Sequence, residues 1–99
     1  MVLAVLGLNH KTVSVDIREK FSISEESARD GLLHLSEQEG IKEAVVLSTC
    51  NRTEIYAVLK DEDDKEELYH FFLTLSGNSK AEKEYFFFYT GTESVSYTH

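Results

Sequence analysis

The sequence predicts an α+β fold of the ferredoxin-like type, a split β-α-β-β-α-β sandwich with an antiparallel sheet and both helices on one face. Two observations predict it. Apolar segments typical of strands and amphipathic segments typical of helices follow one another in this order. The second and third apolar segments are separated only by a short polar loop, which favours a hairpin. At 99 residues the chain forms one domain with a modest core.

The first half of the chain contains a strand and two helical segments. Residues 2–8 are almost wholly apolar and predict a central strand, and residues 15–20 predict a short helical turn. Ser24 is a good N-cap for the next helix, because two glutamates follow it in the first turn. Gly40 suits the end of this helix, whose apolar residues recur at helical spacing: Ala28, Leu32 and Leu35.

The second half supplies a hairpin, a helix and a last strand. Residues 44–48 and 54–60 predict two strands joined by a polar loop. The acidic run 61–64 is interpreted as a helix start rather than a metal site, since acidic side chains favour helix N-termini. The apolar face of the helix that follows this run consists of Leu68, Phe71, Phe72 and Leu75. Residues 85–89 predict an aromatic strand, and residues 91–99 show no clear pattern.

Composition excludes several classes of protein. The formal net charge is −8, with 18 acidic against 10 basic residues, which argues against a broad phosphate-binding surface. A single cysteine excludes an internal disulfide framework and fits a reducing compartment. No stretch approaches the ~20 apolar residues that span a bilayer. Neither a dinucleotide-binding nor a P-loop glycine motif occurs, so we expect no bound nucleotide cofactor here.

Cys50 is the most informative residue. It follows one apolar run and precedes another, and Thr49, Asn51 and Arg52 surround it. A nearby arginine lowers the pKa of a thiol, and the thiolate is the nucleophile. The alternative is that Cys50 is a small buried hydrophobic residue. His10, in the loop after the first strand, is a candidate general base only if that loop shares a sheet edge with the hairpin.

Three segments resemble the N-terminal catalytic domain of glutamyl-tRNA reductase in order and spacing. The third is long and specific, and the likeness covers residues 1–90. The segments are Gly7-Leu8-Asn9-His10-Lys11-Thr12, Ile17-Arg18-Glu19-Lys20 and Val46-Leu47-Ser48-Thr49-Cys50-Asn51-Arg52-Thr53-Glu54-Ile55-Tyr56.

This resemblance implies a function in tetrapyrrole biosynthesis. The family reduces glutamate carried on its tRNA to glutamate-1-semialdehyde with NADPH, through a cysteine thioester. Cys50 matches the catalytic nucleophile, and the substrate-contacting positions match Thr49, Asn51 and Arg52. The partners implied are glutamyl-tRNA and, for the full-length family, a second copy in a homodimer. The implied location is the cytoplasm, or the plastid stroma in a plant.

The chain also departs from the family pattern. The family enzyme is several times longer, so residues 1–90 are expected to be its catalytic domain and residues 91–99 an unassigned tail, the possible start of the next helix. The family has a functional histidine at the start of the helix after the fourth strand. Counting along the chain places Tyr97 at that position and His99 two residues later, so His99 is the catalytic candidate if a small gap intervenes.

Two functions therefore remain at this stage. The first is a catalytic-domain fragment that carries the nucleophile and lacks the NADPH domain. The second is a free-standing ferredoxin-like module that binds a small molecule or a partner through the same loops.

Overall fold

The computed structural model describes residues 1–9, 11, 13–49, 52–79 and 83–91. The strands are β1 (Val2–Leu8), β2 (Ile41–Ser48), β3 (Thr53–Leu59) and β4 (Phe86–Gly91), and the α-helices are α1 (Val15–Lys20), α2 (Glu25–Leu33) and α3 (Lys65–Ser76). The sheet order is β2-β3-β1-β4, and neighbouring strands are antiparallel. This order and the α+β composition confirm the predicted ferredoxin-like arrangement.

The core lies between one face of the sheet and the helices. Alternate residues of each central strand point into it, as the period of two in a strand requires. Phe72 of α3 is fully buried and packs edge-to-face on Phe86 of β4, with ring centroids 5.2 Å apart. The buried strand residues are Ala4, Leu6 and Leu8 on β1 and Ile55, Ala57 and Leu59 on β3. The helices cover this face of the sheet and leave the opposite face uncovered.

The second helix, α2, is shorter than predicted. The Ser24 hydroxyl accepts from the Ser27 amide at 3.0 Å, which confirms the N-cap. However, α2 ends at Leu33, and a 3-10 turn follows it. Gly40 was wrongly predicted as the stop. Its amide instead donates to the Glu67 carboxylate at 3.0 Å, so its position is determined by a contact with α3 that local sequence does not reveal.

The acidic run begins the second long helix, as predicted. The Asp61 carboxylate caps a 3-10 turn over Glu62–Asp64, which leads directly into α3. Asp64 completes a reciprocal capping box by accepting from the Asp61 amide at 2.9 Å. Gly77, with φ +79°, ends the helix in the left-handed conformation expected of a terminal glycine. These carboxylates are therefore engaged in helix capping.

The open face of the sheet is partly apolar. Strand register places three rows of side chains on it, the first of which consists of Leu47, Glu54, Gly7 and Phe87. Val45 and Tyr89 belong to the second row and are 64% and 65% exposed. Within the described residues, no helix combines the length and apolar character needed to cross a membrane.

Candidate active site

The hairpin between β2 and β3 is closed by two residues of the predicted site. The Thr49 amide donates to the Arg52 carbonyl at 2.7 Å, and the Arg52 amide donates to the Thr49 hydroxyl at 3.1 Å. Cys50 and Asn51 connect these two residues and lie outside the described part of the chain. The loop that contains the candidate nucleophile therefore starts and ends at a tightly paired position.

Arg52 forms an ion pair with Glu54. Its Nε donates to Glu54 Oε2 at 3.1 Å, and its Nη2 contacts both oxygens of the same carboxylate at 2.9 and 2.8 Å. The Tyr56 hydroxyl donates to Glu54 Oε1 at 2.7 Å. Glu54 is only 3% exposed, whereas half of the Arg52 side chain remains accessible. One buried carboxylate thus fixes one edge of the guanidinium by a bidentate contact.

Glu54 is buried because Gly7 makes room for it. Gly7 lies opposite both Glu54 and Phe87 in the first row of the open face. A Cβ on Gly7 would lie 2.7 Å from Glu54 Cγ and 2.7 Å from Phe87 Cζ. The missing side chain therefore lets the glutamate and the phenylalanine approach the β1 backbone from both sides.

A cavity of about 410 Å³ opens beside the hairpin. Its wall combines α1 with the hairpin between β2 and β3. The Ser48 hydroxyl at the end of β2 accepts from the amide of Ile23, in the segment that follows α1, at 3.2 Å. Two arginines, one from the helix and one from the hairpin, line the same space. The lining residues are Val15, Arg18, Glu19, Ser22, Thr49, Arg52 and Thr53. This is the size of a small-molecule pocket.

The electrostatics of the pair keep the arginine charged. The hydrogen bonds that Arg52 donates to Glu54, followed by the charge of this carboxylate, raise the pKa of Arg52 above its usual value. The same carboxylate raises the pKa of Tyr56, chiefly through the hydrogen bond and secondarily through partial burial. A fixed guanidinium at the end of a hairpin is suited to hold an anionic or carbonyl oxygen.

A comparison with known protein families decides the identity. The family model described as "Glutamyl-tRNAGlu reductase, N-terminal domain" matches residues 6–99 of this chain. The chain belongs to this family.

Individual glutamyl-tRNA reductases are also similar to this chain in sequence. A glutamyl-tRNA reductase of Desulforudis audaxviator is 42% identical over 96 residues, which is 96% of this chain and 22% of the relative. That of Synechocystis is 47% identical over 78 residues, 79% of this chain and 18% of the relative. The chain therefore spans about a fifth of the length of these glutamyl-tRNA reductases.

A solved structure supports the fold independently. A putative antibiotic biosynthesis monooxygenase from Nitrosomonas europaea superposes with a TM-score of 0.51 at 16% identity, over 93% of this chain and 97% of that one. At this identity the likeness concerns the fold alone.

The structure brings together part of the site predicted for a glutamyl-tRNA reductase domain. Thr49 and Arg52 line one cavity and bond to each other. Cys50, Asn51 and His99 lie outside the described residues, as does His10, so their roles stay predictions.

Two further residues around this cavity were not predicted from the sequence. Glu54 holds Arg52, and Arg18 of α1 lines the cavity. Strand alternation was a usable signal for Glu54, because residues 52, 54 and 56 share one face. Arg18 belongs to one of the three segments that carry the resemblance, but only the tertiary fold shows that α1 lies beside the hairpin.

The described residues do not fit the dinucleotide cofactor that the family implies. Such a cofactor binds at the carboxyl ends of parallel strands, beside a glycine-rich turn. Here the sheet is antiparallel, and the six-residue helix α1 contains no glycine. The described residues likewise include no group of three or more histidine, cysteine or acidic side chains placed to hold a metal ion.

Replacing Tyr56 with phenylalanine tests the buried carboxylate. We expect a loss of about 1.5–3 kcal/mol in unfolding free energy at neutral pH, because a hydrogen bond to a charged group disappears. The raised pKa means that folded Tyr56 holds its proton more tightly than unfolded tyrosine. Its contribution is therefore complete below about pH 10 and is lost as the pH rises through the folded pKa.

The measurement is urea unfolding at pH 7 and above pH 10. The difference between wild type and Tyr56→Phe should shrink at the higher pH. Tyr89→Phe is the matched control, since Tyr89 is 65% exposed on the same sheet face, and it should leave stability at pH 7 unchanged. Equal stability of wild type and Tyr56→Phe at pH 7 would show that the hydrogen bond contributes nothing.

Proposed function

We propose that this domain carries the acyl-accepting half of glutamyl-tRNA reduction, in which the Cys50 thiolate takes glutamate from its tRNA as a thioester. One observation carries the proposal: the loop that holds Cys50 is anchored by Thr49 and Arg52 at the wall of a cavity of about 410 Å³. Membership of the glutamyl-tRNA reductase family supports the choice of substrate.

Transfer of the glutamyl group needs only the thiolate and the aminoacyl ester. The thiolate sulfur attacks the ester carbonyl carbon, and a carbon–sulfur bond forms while the carbon–oxygen bond to the terminal ribose breaks. The ribose oxygen leaves with the electron pair and takes up the proton that the thiol gave up. The products are uncharged tRNA and an enzyme-bound glutamyl thioester. No oxidant or reductant takes part in this half-reaction.

The hairpin residues supply binding and charge. Thr49 and Asn51 flank the nucleophile in the chain and are suited to orient the ester carbonyl or the amino group of the substrate. Arg52 is held by Glu54 through Nε and Nη2, which leaves Nη1 without a hydrogen bond to any described residue. A fixed positive charge beside the hairpin stabilises both the thiolate and the developing oxyanion.

The proposed partner is glutamyl-tRNA, and the domain contributes little to holding the nucleic acid. The net charge of −8 opposes a polyanion, so association should be slow and weak at low salt. We assign no hydride transfer to the described residues, since they do not fit the NADPH implied by the family. Homodimer formation and the role of His99 rest on the family resemblance alone.

The test is the release of labelled glutamate from charged tRNA by this chain at high concentration. We expect slow discharge by the wild type and none above background by Cys50→Ser, because a hydroxyl is a far weaker nucleophile than a thiolate. Alkylation of Cys50 before the assay should have the same effect. Equal rates for wild type and Cys50→Ser would contradict the proposal and favour a binding module instead.

A further inference from the structure

Helix α1 forms one wall of the cavity, yet none of its six residues is buried. Within this helix, Ile17 packs against the core and is only partly buried. An isolated helix of this length is not stable in water, because its few hydrogen bonds do not offset the entropy of ordering the chain. The chain returns to the core directly after α1, at Phe21 and Ile23, which are 5% and 4% exposed. The position of this cavity wall therefore depends on the residues that follow the helix.

The segment that follows α1, residues 20–23, is bound from two sides. Asn78 Nδ2 donates to the carbonyl of Lys20, the last residue of α1, at 2.8 Å. The last carbonyls of a helix have no partner within it, so this contact also caps α1. On the other side, the Ser48 hydroxyl at the end of β2 accepts from the Ile23 amide at 3.2 Å. We call these two hydrogen bonds the α1 clamp.

Asn78 is presented by a rigid element. It follows α3, which buries five residues, and its own amide donates to the Leu73 carbonyl at 2.9 Å after the left-handed Gly77. The backbone of Asn78 thus closes the end of α3, and its side chain is not needed for that. Nδ2 also lies 3.3 Å from the Ser76 carbonyl and 3.0 Å from the Ser76 hydroxyl. Because carbonyl oxygens only accept, the amide nitrogen must face these groups.

We propose that Asn78 and Ser48 are positioning residues for the acyl transfer: they hold α1 beside the hairpin and thereby set the shape of the cavity that receives the glutamyl group. The inference rests on the proposed function. Neither residue lines the cavity, so both act through α1. A displacement of about 1 Å in the groups that hold a substrate can lower a rate about 100-fold, even when the substitution is far from the chemistry.

The competing interpretation is that the α1 clamp only stabilises the fold. Both contacts join neutral groups, and such hydrogen bonds contribute modestly to stability. A purely structural role would lower the amount of folded protein and leave each folded molecule as reactive as before. The rate constant of a single turnover at saturating protein separates the two roles, because it does not depend on the fraction of active molecules.

The first test measures this rate constant with tRNA charged with labelled glutamate. Asn78→Ala should lower it about tenfold. Asn78→Asp should lower it at least as much, because it keeps the shape and replaces the donor by a charge that the Lys20 carbonyl repels. Ser48→Ala should also lower it, and Ser48→Thr should restore most of the rate, since threonine keeps the hydroxyl. Thr74→Ala is the matched control, because the Thr74 hydroxyl donates to a carbonyl of α3 itself.

The second test is amide hydrogen exchange, which requires no reaction. The Arg18 amide donates to the Ser14 carbonyl at 2.9 Å and the Phe21 amide to the Arg18 carbonyl at 3.2 Å, so both report on α1. Asn78→Ala should speed their exchange about fivefold and leave the amides of β3 as protected as in the wild type. A wild type that does not discharge tRNA, but whose α1 exchange depends on Asn78, would contradict the proposed function and still support the α1 clamp.

Three results would overturn the inference. Equal single-turnover rate constants for wild type and Asn78→Ala would mean that the transfer does not depend on this contact. Amides of α1 that are unprotected in the wild type, or unaffected by Asn78→Ala, would mean that the contact does not hold the helix. Faster exchange throughout the domain, β3 included, would assign Asn78 a purely structural role.

Discussion

Replacing Arg52 with methionine is expected to lower both the stability of the domain and the rate of glutamate discharge. The substitution strands a carboxylate that is 3% exposed, with only the Tyr56 hydroxyl left to satisfy it. Because half of the arginine side chain is solvated, we expect a loss of about 1–3 kcal/mol in unfolding free energy. Discharge should fall roughly 100-fold, since the substrate loses a positioned charge.

A double variant separates these two effects. Arg52→Met combined with Glu54→Leu removes both charges, and replacing both partners of a buried pair by apolar groups is close to neutral. Stability in urea should therefore recover in part, since Glu54→Leu also removes the acceptor of the Tyr56 hydroxyl, whereas discharge should stay low. Arg29→Met, which breaks an exposed pair, should change stability by less than about 0.5 kcal/mol. A double variant less stable than Arg52→Met would show that Glu54 is not held by Arg52.

Gly7→Ala is expected to disable the site from the neighbouring strand. The new Cβ would press on Glu54 Cγ and Phe87 Cζ, each at 2.7 Å, so both side chains must move. We expect a loss of about 1–3 kcal/mol in unfolding free energy from this overpacking. Because Glu54 orients Arg52, discharge per folded molecule should also fall, by tenfold or more.

Gly31→Ala is the matched control for the glycine substitution. Its Cβ would press on the Leu75 side chain at the contact between α2 and α3, away from the cavity. Alanine also favours the helix, which offsets part of the strain. Discharge by Gly31→Ala should equal that of the wild type. If Gly7→Ala discharged glutamate normally, the placement of Glu54 would not matter for the reaction.

The order of elements was predictable because each segment carries its own local pattern. The apolar runs of β1 and β3 and the apolar stripe of α3 are properties of neighbouring residues in the chain. The end of α2 was not predictable in this way. Gly40 owes its position to Glu67, which lies 27 residues away, so no local pattern distinguishes it from a helix stop.

In the site, too, residues of a local motif were predictable and residues that depend on tertiary contacts were not. The sequence located Thr49 and Arg52, because they belong to a contiguous motif. It did not show that a buried carboxylate occupies one edge of Arg52, since the burial of Glu54 depends on Gly7 across the sheet. Arg18 lines the cavity because α1 packs beside the hairpin, whose Arg52 lies 34 residues further along the chain. Interactions that depend on strand register and helix docking were thus the ones missed.

The most direct test of the central proposal is to trap the acyl-enzyme. The chain is mixed with charged tRNA, quenched in acid and analysed by intact mass and peptide mapping. We expect one glutamyl adduct on the peptide that contains Cys50, removable by hydroxylamine as a thioester is, and no adduct on Cys50→Ser. Discharge of the tRNA without any adduct, or an adduct on a different residue, would contradict the account.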